Sequence, residues 1–147
     1  MKFSRDKQVR FHHCDPAGIV FYPQFYVLLH EMQEDFLAHI GFPEHVLIRS
    51  GYGVPIVDMR TEFLGMCRHG DVLTLTLSLS KIGNASLGMA YEILGRAPSP
   101  DDAPQVRLRA QGVVVFSQLP EGKPVRSPDD LRAALLPYLT PFQEAQP

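Results

Sequence analysis

The sequence predicts an α+β fold, because one long stretch has the spacing of an amphipathic helix and the stretches after it alternate as strands do. In the helical stretch, apolar residues recur at intervals of three and four from Phe25 to Ile40. From Gly53 onward the apolar period becomes two, which is typical of strands with one buried face. No linker is long enough to separate domains, so residues 1–147 are expected to form a single domain, with 140–147 as a loose tail.

The first two elements precede the long run of strands. Val9 and Phe11 alternate with polar residues, which predicts a first strand. The helix should then extend over about 18 residues, or roughly 27 Å, with one apolar and one polar side. Gly41 and Pro43 are expected to end it, since both residues disfavour a continuing helix.

Four strands and a short helix should follow. The strands carry alternating apolar residues in the stretches Met59 to Phe63, Leu73 to Leu79, Leu87 to Ile93 and Leu108 to Phe116. The short Gly83-Asn84 break suits a hairpin, so we expect consecutive strands to be antiparallel neighbours. Ser127-Pro128-Asp129-Asp130 has the residue preferences of a helix start, and it predicts a short C-terminal helix that ends near Tyr138.

Charge and composition exclude several classes of protein. The formal net charge is −2 and the chain has no run of Lys or Arg, which argues against a nucleic-acid partner. No 18 apolar residues run together and the first ten residues are polar and charged without an apolar core, so neither a membrane span nor an export signal is expected, and the protein should be cytoplasmic. Cys14 and Cys67 lack the spacing of a disulfide scaffold or metal motif, and they suit a reducing compartment.

The most informative segment is Asp15-Pro16-Ala17-Gly18-Ile19-Val20-Phe21-Tyr22-Pro23. Pro16 and Gly18 exclude a regular element at Asp15, and Pro23 suits a first helical turn. Asp15 should therefore lie beside unpaired N–H groups at a helix start, which favour anions and stabilise an oxygen that gains negative charge. Alternatively, Asp15 serves only to form the turn, as Asp before Pro often does.

This segment resembles the active-site segment of the 4-hydroxybenzoyl-CoA thioesterase family. The resemblance implies the hotdog fold, which is a curved antiparallel five-stranded sheet wrapped around one long helix, here with a short C-terminal helix. It also implies an acyl-CoA thioesterase with no cofactor, since coenzyme A is part of the substrate. The family's cleft lies between subunits, which implies a homodimer or a homotetramer.

The resemblance also assigns roles to the two reacting groups. The family's catalytic carboxylate falls on Asp15, and the peptide N–H that polarises the thioester carbonyl falls on Tyr22. Asp15 either attacks the carbonyl carbon to form a mixed anhydride or activates water, and both routes stay open. His30 stands where hydroxybenzoyl-specific enzymes carry an acid that contacts the phenol, so the resemblance does not extend to that specificity.

Substrate contacts are expected from aromatic and polar residues. The rings of Phe25, Tyr26 and Phe63 either line an acyl pocket, together with His30, or belong to the core. A flat pocket would suit a benzoyl-type acyl group, although a short-chain acyl group is also compatible with the family. The hairpin region of the family that contacts the nucleotide of coenzyme A corresponds to Lys81 and Ser86.

Four other interpretations compete with this one. A nucleophile and base formed by Cys14 and His13 is disfavoured, since adjacent residues of an extended chain point to opposite faces. No metal site is predicted, because His12, His13, Cys14 and Asp15 are consecutive and cannot all converge on one ion. The remaining alternatives are a non-catalytic module that binds acyl-CoA or acyl carrier protein, and an adaptor resembling the Tol-Pal-associated thioesterases.

Overall fold

A computed structural model describes residues 1–96 and 99–140 of the chain. The helices and strands are, in chain order, β1 (Phe3–Gln8), α1 (Tyr22–His39), α2 (Glu44–Arg49), β2 (Tyr52–Gly53), β3 (Ile56–Phe63), β4 (Val72–Ile82), β5 (Ser86–Gly95), β6 (Gln105–Val115), β7 (Ser117–Gln118), β8 (Lys123–Pro124) and α3 (Asp129–Leu135). Single 3₁₀ turns occupy Phe11–His13 and Leu136–Tyr138. None of the described helices combines the length and the apolar character needed to cross a membrane.

The main sheet has five antiparallel strands in the order β1-β4-β5-β6-β3. Its pairing shifts register between Ile56 and Asp58, between Leu79 and Lys81, and between Ile93 and Leu94. Such irregularities bend a strand and increase its twist, so they account for the curvature of the sheet. A separate three-stranded sheet has the strand order β2-β7-β8.

Helix α1 packs against the inner face of the sheet. Its apolar stripe includes Phe25, Leu29 and Phe36, all of which are buried. On the sheet, the inward residues of β4 from Leu73 to Leu79 have no exposed surface. Each such side chain contributes about 1.5–3 kcal/mol when fully buried, which explains why the two apolar patterns fix this packing. The long helix, the four later strands and the short C-terminal helix of the sequence-based prediction are confirmed, as is the hotdog fold.

The first strand was predicted wrongly. It covers Phe3–Gln8, whereas Val9 follows it and Phe11 belongs to a 3₁₀ turn with its ring 81% exposed. The reason is that β1 is an edge strand in which only Phe3 is buried. Further along β1, the Lys7 ammonium contacts carboxylates of α1 instead of an apolar core. A strand held in this way lacks the apolar alternation on which the prediction depended.

The strand order also departs from the expectation of consecutive neighbours. Pairing of β4 with β5 and of β5 with β6 is as predicted, but β3 pairs with β6 at the opposite edge from β1. The connection 64–71 therefore crosses the molecule before β4 begins. Helix α2 and the small sheet were not predicted. Of the predicted tail 140–147, only Thr140 lies within the described residues, and its N–H donates to Leu79 O.

Candidate active site

Asp15 lies at the first position of a tight turn between the 3₁₀ turn and α1. The Gly18 N–H donates to Asp15 O at 2.9 Å, and the Ala17 N–H donates to the side-chain Oδ1 at 2.9 Å. Gly18 has φ +77°, a conformation that favours glycine. One carboxylate oxygen thus helps to form the turn, as the structural alternative expected. The other oxygen, Oδ2, makes no hydrogen bond with any residue in the described part of the chain.

The turn is anchored on both sides by backbone hydrogen bonds. On either side of the turn, the backbones of His13 and Phe21 are joined, because the Phe21 N–H donates to His13 O at 2.9 Å. The segment 64–71, which connects β3 to β4, also holds the turn in place. The Val20 N–H donates to Cys67 O at 2.8 Å, and the His69 N–H donates to Gly18 O at 3.2 Å. The position of Asp15 is therefore fixed by residues about fifty positions away in the sequence.

Helix α1 begins at Tyr22, after the short segment 19–21 that follows this turn. Pro23 has no N–H, and the Gln24 N–H already donates to Phe21 O at 2.8 Å. Over the described ranges, the Tyr22 N–H has no acceptor in the protein. This free donor lies at the positive end of the helix dipole, where an oxygen that gains negative charge is stabilised.

The histidine and cysteine beside Asp15 have structural partners. The buried ring of His13 accepts a hydrogen bond at Nδ1 from the Arg10 N–H at 2.8 Å, and burial lowers the pKa of this ring. The Cys14 thiol donates to Arg10 O at 3.6 Å and does not contact His13 through a hydrogen bond. The nucleophile-and-base alternative therefore gains no support from the geometry.

Four of the predicted site residues contact one another through Phe63 of β3. Its ring centroid lies 6.3 Å from that of Tyr22, 5.9 Å from that of Phe25 and 6.4 Å from that of Tyr26. The Tyr26 hydroxyl forms a hydrogen bond with Thr61 Oγ1 at 3.1 Å. Tyr22, Phe25 and Phe63 line a cavity of about 390 Å³ beside the segment 64–67. The aromatic cluster is thus next to the free Tyr22 N–H.

A second cavity, of about 380 Å³, lies further along α1 between the helix and the edge of the sheet. Its walls are formed by Tyr26, Leu29, His30, Gln33, Glu44, Val54, Pro55, Ile56, Met59 and Tyr91. Tyr26 lines this second cavity, and its ring also packs against Phe63, which lines the first. Of the residues predicted to bind the acyl group, Tyr26 and His30 line this second cavity and Phe25 and Phe63 line the first.

Two polar residues of the second cavity were not recognised in the sequence. Gln33 is 4% exposed, and Glu44 has a buried Oε2 with no hydrogen-bond partner in the described residues. Gln33 lies four residues after Leu29 and three before Phe36, so it is a polar residue on the apolar stripe of α1. This position could have marked Gln33 as a candidate site residue from the sequence. Glu44 gave no signal, because its place in the cavity depends on how α2 folds back on α1.

His30 forms a small cluster with two carboxylates. Its Nε2 lies 3.0 Å from Glu34 Oε1 and 3.9 Å from Glu44 Oε2. Ligating atoms of these three residues lie within 4.8 Å of one another, which is close enough to hold a cation. His30 and Glu34 are exposed and form a hydrogen bond with each other, which explains their proximity without a metal ion. The expectation of no metal stays a prediction.

The predicted nucleotide contacts lie at the other end of the sheet from Asp15. Lys81 and Ser86 flank the β4–β5 hairpin, which Arg132 of α3 fixes by donating to Gly83 O at 2.7 Å. The turn at Asp15 adjoins the start of β4, and β4 extends about 30 Å to Lys81 at 3.3 Å per residue. Within one chain the structure does not bring Lys81 and Ser86 to Asp15.

A curved antiparallel sheet packed around a long helix is the architecture of the hotdog fold. The chain belongs to the thioesterase-like superfamily, whose family model matches residues 9–135. The family resemblance and the enzyme class predicted from the sequence are confirmed by this membership.

Similar proteins include two with curated functions and one solved structure. The 4-hydroxybenzoyl-CoA thioesterase of Pseudomonas sp. strain CBS-3 is 27% identical over 114 residues, covering 76% of this chain and 79% of that protein. The 1,4-dihydroxy-2-naphthoyl-CoA hydrolase of Thermosynechococcus vestitus is 30% identical over 134 residues, covering 89% and 88%. The crystal structure of a 1,4-dihydroxy-2-naphthoyl-CoA thioesterase from Synechocystis is 27% identical, with a TM-score of 0.80 and coverage of 92% and 96%.

Proposed function

We propose that this protein hydrolyses an aromatic acyl-CoA to the free acid and coenzyme A. The observation that carries the proposal is the turn 15–18, which holds a carboxylate with one free oxygen shortly before a helix whose first N–H has no acceptor in the described residues. The relatives act on aromatic acyl-CoA thioesters, according to their names. The aromatic cluster beside the Tyr22 N–H supports the same class of acyl group.

The two groups have complementary tasks in thioester cleavage. The Tyr22 N–H donates to the thioester carbonyl oxygen and stabilises the negative charge that this oxygen gains when the carbonyl carbon is attacked. Asp15 either supplies the attacking oxygen, giving a mixed anhydride that water then cleaves, or removes a proton from the attacking water. In both routes the carbon–sulfur bond breaks and the thiolate leaves. A thiol pKa of about 8.5 makes this departure feasible without a dedicated proton donor.

The acyl group would lie along the aromatic residues of α1 and β3. Phe63, Phe25 and the ring of Tyr26 offer flat apolar surface, and cavities of about 380 and 390 Å³ are of the size that accommodates small ligands. A planar ring loses little conformational freedom when it enters such a space, which favours aromatic over flexible acyl groups.

A second copy of the chain is proposed to complete the enzyme. Strand β3 is at the edge of the main sheet, and several apolar side chains on it or just after it are exposed, namely Ile56, Val57, Phe63, Leu64 and Met66. An exposed apolar edge strand is a template for pairing with another strand. Pairing of β3 with its copy would form a homodimer.

Contacts of Lys81 and Ser86 with coenzyme A are part of the proposal, and Lys81→Ala is expected to raise KM without lowering kcat.

The test is the release of thiol from benzoyl-CoA, 4-hydroxybenzoyl-CoA, 1,4-dihydroxy-2-naphthoyl-CoA and acetyl-CoA. Asp15→Asn keeps a side-chain oxygen for the Ala17 N–H but removes the negative charge, so kcat on the preferred substrate should fall about 10²–10⁴-fold. Asp130→Asn is the matched control, because Asp130 Oδ1 also accepts a backbone N–H, from Leu131 at 2.8 Å, on a different element. It should leave the rate unchanged.

Two results would reject the proposal. Equal rates for the wild type and Asp15→Asn would show that this carboxylate does not take part in the reaction. Binding of the thioesters by the wild type without any release of thiol would instead favour the acyl-CoA binding module. Faster hydrolysis of acetyl-CoA than of all three aromatic substrates would keep the enzyme class but replace the aromatic acyl group.

A further inference from the structure

Arg107 lies where the pairing of β5 with β6 is irregular. Ile93 of β5 pairs with Leu108, but the next residue of β5 pairs with Val106. Arg107 is therefore an extra residue on β6 that the pairing with β5 skips. Such an irregularity changes the direction in which a side chain points and is common beside active sites. The direction that it gives to the Arg107 side chain can be read from the contacts of that side chain.

The side chain of Arg107 lies across two glycines. A Cβ built at Gly95 of β5 would overlap Arg107 Nε and lie 3.0 Å from its Cγ, and a Cβ built at Gly65 would lie 3.0 Å from its Cδ. At the end of the side chain, Nη2 donates to Arg96 O at 3.3 Å, and Nε is shielded from solvent. A glycine in a strand often marks the close approach of another group. Here the two glycines make room for an arginine that joins β5 to the residues after β3.

The backbone of Arg107 contacts the same connection between β3 and β4. Its carbonyl oxygen accepts the Leu64 N–H at 2.9 Å and the Gly65 N–H at 3.1 Å. Two residues further on, Cys67 is 1% exposed, and its carbonyl oxygen accepts the Val20 N–H at 2.8 Å. Val20 lies between the carboxylate turn and the first residue of α1. A continuous set of contacts therefore leads from Arg107 to the reacting groups of the proposed enzyme.

We propose that Arg107 is a positioning residue that fixes the segment 64–67 and, through this segment, the carboxylate turn. The distance between the Asp15 carboxylate and the Tyr22 N–H then depends on Arg107. Arg107 does not line the first cavity, whereas Gly65 and the two residues after it do, so it acts through the segment and not on the substrate. This inference rests on the proposed function, because that function assigns the reacting groups.

Thiol release from the preferred aromatic acyl-CoA measures the effect on the reaction. Arg107→Ala removes the side chain from both glycines and frees the segment to shift, so kcat should fall about 10- to 100-fold, the loss expected for a misplacement on the order of 1 Å. Arg107→Lys keeps the charge and most of the aliphatic stem and should lose less. Arg109→Ala is the matched control, because Arg109 lies on the same strand but donates to Glu92 at 3.1 Å. It should leave kcat unchanged.

A double-mutant cycle with Gly95→Ala separates positioning from a general loss of stability. In the wild-type background the added methyl group displaces the Arg107 side chain, so kcat should fall as it does in Arg107→Ala. With Arg107→Ala already present, the methyl group has space and should cause little further loss. Residues in contact are expected to behave in this non-additive way. A substitution that only destabilised the sheet would lower kcat by the same factor in both backgrounds.

Alkylation of Cys67 by iodoacetamide at pH 8 reports the position of the segment without any hydrolysis. In Arg107→Ala, at a temperature well below its melting point, local opening should make Cys67 react about 10-fold faster than in the wild type. Burial raises the pKa of this thiol and the charge of Arg107 lowers it, so loss of the charge alone would raise the pKa further and slow the reaction. Faster alkylation therefore measures exposure. Arg109→Ala should react at the wild-type rate.

The outcomes distinguish this inference from the enzyme assignment. Equal kcat values in Arg107→Ala and Arg109→Ala, or equal losses from Gly95→Ala in both backgrounds, would overturn the positioning role even if the thioesters are hydrolysed. Faster alkylation of Cys67 in Arg107→Ala, with no thiol released by the wild type, supports the hold on the segment and rejects only the proposed function. If Arg107→Ala does not fold, Arg107→Lys and Gly95→Ala are compared with the wild type in the same two assays.

Discussion

Replacement of Gly18 by alanine tests whether the turn 15–18 positions the reacting groups. Gly18 has φ +77° and its N–H closes the turn on Asp15 O. A Cβ built at Gly18 meets no atom within 4 Å, so the substitution introduces no clash. The entire effect must therefore come from the backbone, because alanine avoids the left-handed region that the turn requires.

The expected magnitude follows from this conformational strain. A non-glycine residue in the left-handed region costs about 1–2 kcal/mol, which would lower the melting temperature by about 2–8 °C in a chain of this size. If the turn relaxes to relieve the strain, Asp15 and the Tyr22 N–H shift relative to each other. A misplacement on the order of 1 Å costs about 10²-fold in rate, so kcat/KM should fall about 10- to 100-fold.

The control for this prediction is another glycine with the same geometry. Gly122, in the turn between β7 and β8, has φ +74°, and a Cβ built there also meets nothing within 4 Å. Gly122→Ala should lower the melting temperature by a similar amount and leave kcat/KM unchanged. Thermal unfolding and thiol release are measured on both variants. Wild-type kcat/KM in Gly18→Ala, or equal losses of activity in the two variants, would refute the role assigned to the turn.

Two further predictions concern side chains beside this turn. Burial raises the pKa of the Cys67 thiol to about 11, so iodoacetamide at pH 8 should modify the half-buried Cys14 well before Cys67 in the native protein. Peptide mass spectrometry measures the two modification rates, and equal rates would contradict the burial of Cys67. Burial lowers the pKa of His13, so the unfolded chain takes up a proton there more readily than the folded one, and stability should decrease as the pH falls below about 6.5. Urea unfolding between pH 5 and 8 should show a smaller decrease for His13→Asn, and identical pH profiles would rule out His13 as the cause.

The sequence predicted the parts of the fold that depend on local preferences. The period of 3.6 from Phe25 to Ile40 gave α1, and the alternating leucines gave β4, because both patterns reflect burial of one face. The segment from Asp15 to Pro23 predicted the turn and the helix start for another local reason. Pro16, Gly18 and Pro23 each set the backbone conformations that are available at their own positions.

The positions of Gln33 and Glu44 in the second cavity could not be predicted in this way. Gln33 was detectable as a polar residue on an apolar stripe, but nothing in the sequence showed that it would line a cavity. Glu44 belongs to a six-residue helix whose packing against α1 brings a carboxylate to the cavity. That contact joins residues on two elements and leaves no periodic pattern in either.

Backbone restrictions and hydrophobic periodicity, which act over a few neighbouring residues, were sufficient to specify α1, α3, the strands β3 to β6 and the carboxylate turn. Tertiary structure alone decided that β3 pairs with β6 rather than β4, that the segment 64–71 supports the turn, and that α2 closes a cavity on α1. These features depend on contacts between residues far apart in the chain. Such contacts are selected by the packing of the whole core, and no local stretch of sequence encodes them.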